Sequence, residues 1–203
     1  MVKRLKHLGA VDSTIRSLLQ ESAQVKQAVA DNCSSEIKDL VGLVTEAYRN
    51  GRKVILFGNG GSAADAQHIA SELVGRFLVE RRGLPAMSLT SNTSVLTAVA
   101  NDFGYEYVFS RQVEAFVNAG DVVIGLSTSG TSPNVAKALR AAKKAGAKAV
   151  GFTGRSAGCL AQISDIVVAV PSESTPRIQE AHITIGHIVC ELVDDELSGS
   201  IEA

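Results

Sequence analysis

The chain has 203 residues, with 20 Lys and Arg against 21 Asp and Glu for a formal charge of −1, and 45% of its residues are hydrophobic. That length gives one domain with a sizeable core and no need of staples, while the even charge and the few aromatics (six Phe, three Tyr, no Trp) argue against a nucleic-acid surface. No apolar run approaches 18 residues and none follows the basic start at 1–7, so neither a membrane span nor a signal segment is expected.

Ahead of position 51 the pattern is helical. Ile15, Leu18 and Leu19, then Ile37, Leu40, Val41, Val44 and Tyr48, recur at helical spacing. Ser34 and Ser35 read as a cap between two helices, and Gly51 as the stop of the second. From Lys53 the period changes to short, continuous β-branched runs at 53–57, 86–89, 121–126, 148–152 and 165–170, as expected of strands buried on both faces. Helical stretches at 62–78, 133–145 and 176–197 separate them, with Pro133 and Pro176 near the helix starts. The alternation predicts an α/β domain on a five-stranded parallel sheet. Nothing resembling a linker breaks the chain. The span 1–203 is read as one domain, with N-terminal helices in 1–50 and the sheet with its flanking helices in 51–203. Cys33, Cys159 and Cys190 lie far apart with no CxxC pair, which fits a reduced, cytoplasmic protein without a cysteine metal site.

Two loops follow strands and precede helices. The first is Gly58-Asn59-Gly60-Gly61-Ser62, and the second is Ser127-Thr128-Ser129-Gly130-Thr131-Ser132. Glycines let a backbone approach an anion, hydroxyls donate hydrogen bonds, and a helix start offers free N–H groups, so both loops suit a phosphate monoester. The second also has the composition of an ordinary cap and turn, although two such loops on one sheet weaken that reading. Gly58, Gly60 and Ala63 match G-x-G-x-x-A, with Glu80 as the acidic partner of a dinucleotide site; Glu80 precedes the strand at 86 and is poorly placed, so sugar phosphate ranks above dinucleotide. On the helix after the first loop, His68 and Glu72 share one face with Arg76 on roughly the same side. This spacing serves a divalent metal, a proton-transfer pair or a plain exposed pair. His187, among Ile, Val and Gly in the last helix, has the setting of a core histidine, and Gln179 carries no signal by itself.

Taken together, residues 58–68, 71–77, Ala100-Asn101-Asp102, 127–132 and Arg177-Ile178-Gln179-Glu180 followed by His187 resemble the SIS (sugar isomerase) family, and within it the phosphoheptose isomerases. The resemblance covers nearly the whole chain. It implies a three-layer, doubly wound five-stranded parallel sheet with an N-terminal helical arm. The activity it implies is conversion of sedoheptulose 7-phosphate to D-glycero-D-manno-heptose 7-phosphate through an enediol, for bacterial heptose and surface polysaccharide synthesis. It further implies a cytoplasmic homotetramer with active sites at subunit interfaces, and no nucleic-acid, membrane or nucleotide-cofactor partner. Carried onto this sequence, Ser127, Thr128, Ser129 and Ser132 hold the phosphate, and Asn59, Gly60, Gly61, Ser62, Arg76, Asn101, Asp102 and Gln179 contact the sugar. Glu72 is the base and His187 the acid, and one zinc per subunit falls on His68, Glu72, Gln179 and His187. Residues 61–68 also resemble non-catalytic SIS relatives that bind a sugar phosphate or the replication initiator. Those relatives lack the glutamate and the late histidine, so Glu72 and His187 favour the enzyme.

Overall fold

Val, Ile and Leu runs with no polar face form strands only where both faces of a sheet are covered. In the computed structural model, which describes residues 2–198 and side chains from residue 10 onward, that covering is complete at the two central strands and partial at the edges. The side chains of the basic start at 1–7, and residues 199–203 of the expected span, fall outside what is described. Strands β1 (Val54–Gly58), β2 (Ala86–Ser88), β3 (Val122–Leu126), β4 (Lys148–Thr153) and β5 (Ile166–Ala169) form one sheet in the order β2-β1-β3-β4-β5. Every pairing is parallel. β1 and β3 are buried at each position.

Alternation along the strands sorts the side chains into two layers. Val54, Leu56, Val122, Ile124 and Leu126 pack with α1 (Val2–Arg49), α2 (Gly61–Val74) and α7 (Thr175–Ser198). Ile55, Phe57 and Val123 face the opposite layer, against α4 (Ser110–Phe116), α5 (Pro133–Lys144) and α6 (Leu160–Ile163). There Phe57 stacks on Phe109 with ring centroids 5.0 Å apart, in the offset geometry aromatic pairs prefer. α3 (Thr93–Phe103) lies on the outside and has no fully buried residue. This is the expected three-layer α/β sheet. None of the described helices is long and apolar enough to cross a membrane, and the three cysteines are free.

Two local expectations change. The pair of helices ahead of Gly51 is one 48-residue helix, about 72 Å long at 1.5 Å per residue. Ser34 does not cap; its Oγ donates to the carbonyl of Ala30 one turn back, at 2.5 Å, and the ladder runs on. The helix expected over 62–78 stops at Val74, because residues 81–84 fold back and supply donors to its last carbonyls.

The strand order places β2 outside β1 and β3 on its other side, so the chain reverses direction between β1 and β3. Ligands of open α/β sheets bind at such a reversal, beyond the carboxyl ends of the strands. Gly58 at the end of β1 is in register with Leu126 at the end of β3, so the glycine and hydroxyl loops leave the sheet side by side.

Candidate active site

The glycine loop is built by close approach. A Cβ on Gly58 would fall 2.7 Å from Ser62 Cβ and 2.9 Å from the Leu126 carbonyl oxygen, and Gly60 has φ 57°, which favours glycine. Ser62 is buried in the first turn of α2 beneath the loop. Asn59 reaches across to the neighbouring loop. Its Nδ2 donates to Asn134 Oδ1 at 3.0 Å, and Asn134 Nδ2 donates to Asn59 Oδ1 at 2.8 Å. Tyr105 OH adds a bond to the same Asn59 oxygen at 3.2 Å, and Asn134 Oδ1 also accepts from the Val135 N–H. This amide pair ties the glycine loop to the first turn of α5. Asn134 was not visible as a site residue, because its partner lies 75 positions away.

In the hydroxyl loop, Ser127 Oγ lies 2.8 Å from Ser132 Oγ and 3.4 Å from Ser129 Oγ. Ser129 Oγ also accepts from Thr131 Oγ1 and N–H, at 3.0 and 3.3 Å. The Thr128 carbonyl accepts from the Gly154 N–H at 3.0 Å, which pins the loop to the end of β4. Three serine hydroxyls thus gather at the start of α5, where the helix N-terminus favours an anion.

A second cluster joins α2 to α7. His68 Nε2 lies 3.0 Å from Glu72 Oε1, and His187 Nε2 lies 3.2 Å from His68 Nε2. The three donor atoms lie within 4.8 Å of one another. Ligands about 2.0–2.1 Å from a tetrahedral metal stand roughly 3.4 Å apart, so this donor set suits a divalent ion. Gly186 makes the approach possible: a Cβ there would fall 2.5 Å from Ile69 Cγ1. Phe77 stacks on the His187 ring at 5.4 Å. Asp65, one turn before His68, has a buried Oδ2 without a hydrogen bond. Burial pushes its carboxyl up to about 6, opposed by the nearby His68. Its isolation from other donors is a tertiary fact that spacing does not reveal.

The remaining expected residues fall elsewhere. Gln179 sits over Gly61, its Nε2 2.5 Å from where a Cβ would be, about two turns of α2 away from His68. Arg76 is not on the His68–Glu72 helix; it follows the C-cap Gly75 and is exposed, its Nε 3.8 Å from Glu80 Oε2. Glu80 itself is 92% exposed in that pair, so it does not serve the dinucleotide reading. Asn101 and Asp102 are exposed at the end of α3, where Asn101 Nδ2 donates to Asp102 Oδ1 at 2.8 Å.

Beneath the end of β4, His182 is fully buried, its Nε2–H donating to the Thr153 carbonyl at 3.1 Å while Nδ1 has no partner. Burial pushes its pKa from 6.5 down to about 4, the Thr153 bond opposing the shift. The unfolded chain therefore binds a proton below pH 6.5 that the folded chain refuses until about 4. Stability should fall across that window by up to about 1.4 kcal/mol per pH unit. Urea unfolding of His182→Gln should show a flatter slope there than the unsubstituted protein; equal slopes would remove His182 as the cause.

A family model of the SIS domain matches residues 18–154. A phosphoheptose isomerase of Aquifex aeolicus is 54% identical over 181 residues, covering 89% of this chain and 95% of that protein. One from Geotalea daltonii is 51% identical over 185 residues, covering 91% and 96%. The solved phosphoheptose isomerase of Neisseria gonorrhoeae superposes with a TM-score of 0.86 at 38% identity, over 91% of this chain and 99% of that one.

Proposed function

The chain belongs to the SIS-domain family and, within it, to the phosphoheptose isomerases, and from that membership we propose that it interconverts sedoheptulose 7-phosphate and D-glycero-D-manno-heptose 7-phosphate. The observation that carries the reading is the convergence of Glu72, His68 and His187 from two helices. A protein that only held a sugar phosphate would need the two loops and not this cluster.

Moving a proton between C1 and C2 requires a base for the carbon-bound proton and a second group for the oxygens. Glu72 is the base: with Oε1 at His68, its other oxygen is left to take the proton. His187 serves the oxygens: it protonates the ketone oxygen as the enediol forms and takes the proton of the other hydroxyl as the aldose forms, when Glu72 returns its proton to carbon. Ser127, Thr128, Ser129 and Ser132 hold the phosphate, and that remote grip orients the reacting end. Asn59, Gly60, Gly61, Ser62, Asn101, Asp102 and Gln179 line the path of the sugar, with Arg76 acting from the segment after α2. His68, Glu72 and His187 would hold one zinc per subunit, which when bound would polarise the substrate carbonyl; Gln179, expected as a fourth ligand, lies beside Gly61 about two turns of α2 from His68 and stays with the sugar.

The assembly reading is a homotetramer with sites at subunit interfaces. Glu72 lies eleven residues beyond Gly61, about 16 Å along α2 from the glycine loop, which supports completion of each site by a second subunit. Val11, Ile15, Leu18 and Leu19 on α1 are exposed, and a groove of about 900 Å³ runs between α1 and α7 beside exposed Ile188 and Leu192. Apolar surface of that extent suits burial against further copies of the chain. The setting proposed is the bacterial cytoplasm, in heptose supply for surface polysaccharide, with the whole chain as one SIS domain.

The direct test is incubation of the purified chain with sedoheptulose 7-phosphate, with and without chelator. The aldose heptose phosphate should appear, fall away with chelator and return with zinc. No product under any of these conditions would overturn the isomerase reading, and full activity in a metal-free preparation would overturn the zinc.

A further inference from the structure

We propose that the buried pair Arg81–Asp194 positions the proton-transfer centre, by tying the end of the helix that carries Glu72 to the helix that carries His187. The proposal rests on the isomerase reading and deepens it.

Glu72 sits in the last turn of α2, where the final carbonyls have no donor within the helix and ends fray. Here they are taken up from outside. Ser71 O accepts from the Gly75 N–H at 2.9 Å, and Leu73 O from the Leu84 N–H at 3.0 Å. Arg81 adds two more donors. Its Nη2 donates to the carbonyl of Glu72 itself at 3.2 Å, and its Nη1 donates to that of Leu73 at 2.9 Å. The third arm of the guanidinium, Nε, donates to Asp194 Oδ1 at 2.5 Å.

Asp194 follows His187 by seven residues on α7, which at 100° per residue returns it to nearly the same face, about 10 Å further on. One planar fork therefore grips the backbone of the base's own residue and the helix of the acid. Gly186 against Ile69 and Gln179 over Gly61 fix the two helices further back, and the Arg81–Asp194 pair fixes them beyond Glu72 and His187.

Stability alone does not account for the pair. Both side chains are nearly inaccessible, at 4% and 1% exposure, and Asp194 Oδ2 has no hydrogen bond. A buried pair left partly unsatisfied is a poor stabiliser, and apolar residues of similar volume often replace such pairs without loss of folding. What apolar residues cannot replace is the three-way geometry, and neither can lysine, a point charge without the fork.

The test compares Arg81→Lys and the double variant Arg81→Met/Asp194→Leu with the unsubstituted protein, by steady-state kinetics on sedoheptulose 7-phosphate and by thermal unfolding. Arg81→Lys keeps the ion pair and should melt within a few degrees of the parent. Its kcat should fall roughly 10- to 100-fold, the scale of a displacement near 1 Å, with KM within about threefold. The double variant should fold and show at least the same loss in kcat. A folded Arg81→Lys with kcat within twofold of the parent overturns the proposal. So does a rise in KM at unchanged kcat, or loss of fold in Arg81→Lys, which would leave the pair a structural role only. An inactive parent protein would instead overturn the isomerase reading.

Discussion

Replacing Glu72 with Gln is expected to lower kcat by roughly 100- to 10,000-fold, the range contributed by a positioned base, with KM changed by no more than a few-fold. The substitution keeps the shape and the polar contact toward His68, which stands 3.0 Å from the carboxylate. What it removes is the carboxylate, which is both the acceptor for the carbon-bound proton and one of the proposed zinc ligands, so the variant's zinc content is measured beside its kinetics. Substrate binding, built from the loops at the far end of α2, should survive, so turnover and binding should separate when kinetics are set beside calorimetric titration with sedoheptulose 7-phosphate. A Glu72→Gln protein retaining more than about a tenth of the parent kcat would remove Glu72 as the base.

The second large effect is expected at Gly58. In Gly58→Ala the new methyl meets Ser62 Cβ at 2.7 Å and the backbone carbonyls of Leu126 and Ser62 at 2.9 Å. Two of those atoms belong to the main chain and cannot rotate away. The start of α2 must move off the end of β1, or that end off β3, and the glycine and hydroxyl loops shift together because Asn59 and Asn134 tie them. Overpacking of this kind costs about 1–3 kcal/mol of stability. A loss of similar size in substrate binding would raise KM by about tenfold or more. Both are read from thermal unfolding and steady-state kinetics. A variant with parent-like melting and KM would show that the switch point tolerates a side chain there.

How much of this was legible in the residues differs by element. The strands were, because a parallel sheet covered on both faces favours short β-branched apolar runs, and 122–126 is such a run bounded by Asp121 and the hydroxyl loop. The two loops were legible as well, since glycine and hydroxyl residues between a strand and a helix carry their own chemistry. Helix ends were not. Ser34 reads as a cap but bonds within the helix, and Val74 ends α2 only because Arg81 and Leu84 return to its carbonyls. That early stop is why Arg76 left the face it was expected to share with Glu72. The cluster shows the same limit. Spacing joins His68 to Glu72, but no local rule brings in His187 from 119 positions away; the family resemblance supplied it, and the α2–α7 contact at Gly186 is the physical reason. Asn134 and Arg81 act through partners that only folding supplies, and Asp65 is set apart by a burial that spacing does not reveal.

The hydroxyl loop has a consequence for competition among anions. A lysine or arginine in residues 127–132 would draw in any polyanion within its field, and nucleotides and other phosphorylated metabolites would contend for the same place. The six residues there carry no charge, and the hydroxyls of Ser129 and Ser132 are preset around that of Ser127. Such a cradle gains little from an anion that merely passes nearby and most from a tetrahedral group seated against its donors. With this loop as the proposed phosphate seat, selectivity for the terminal phosphate of one slender sugar would come from fit, in a crowded solution where attraction by charge would be satisfied by many others.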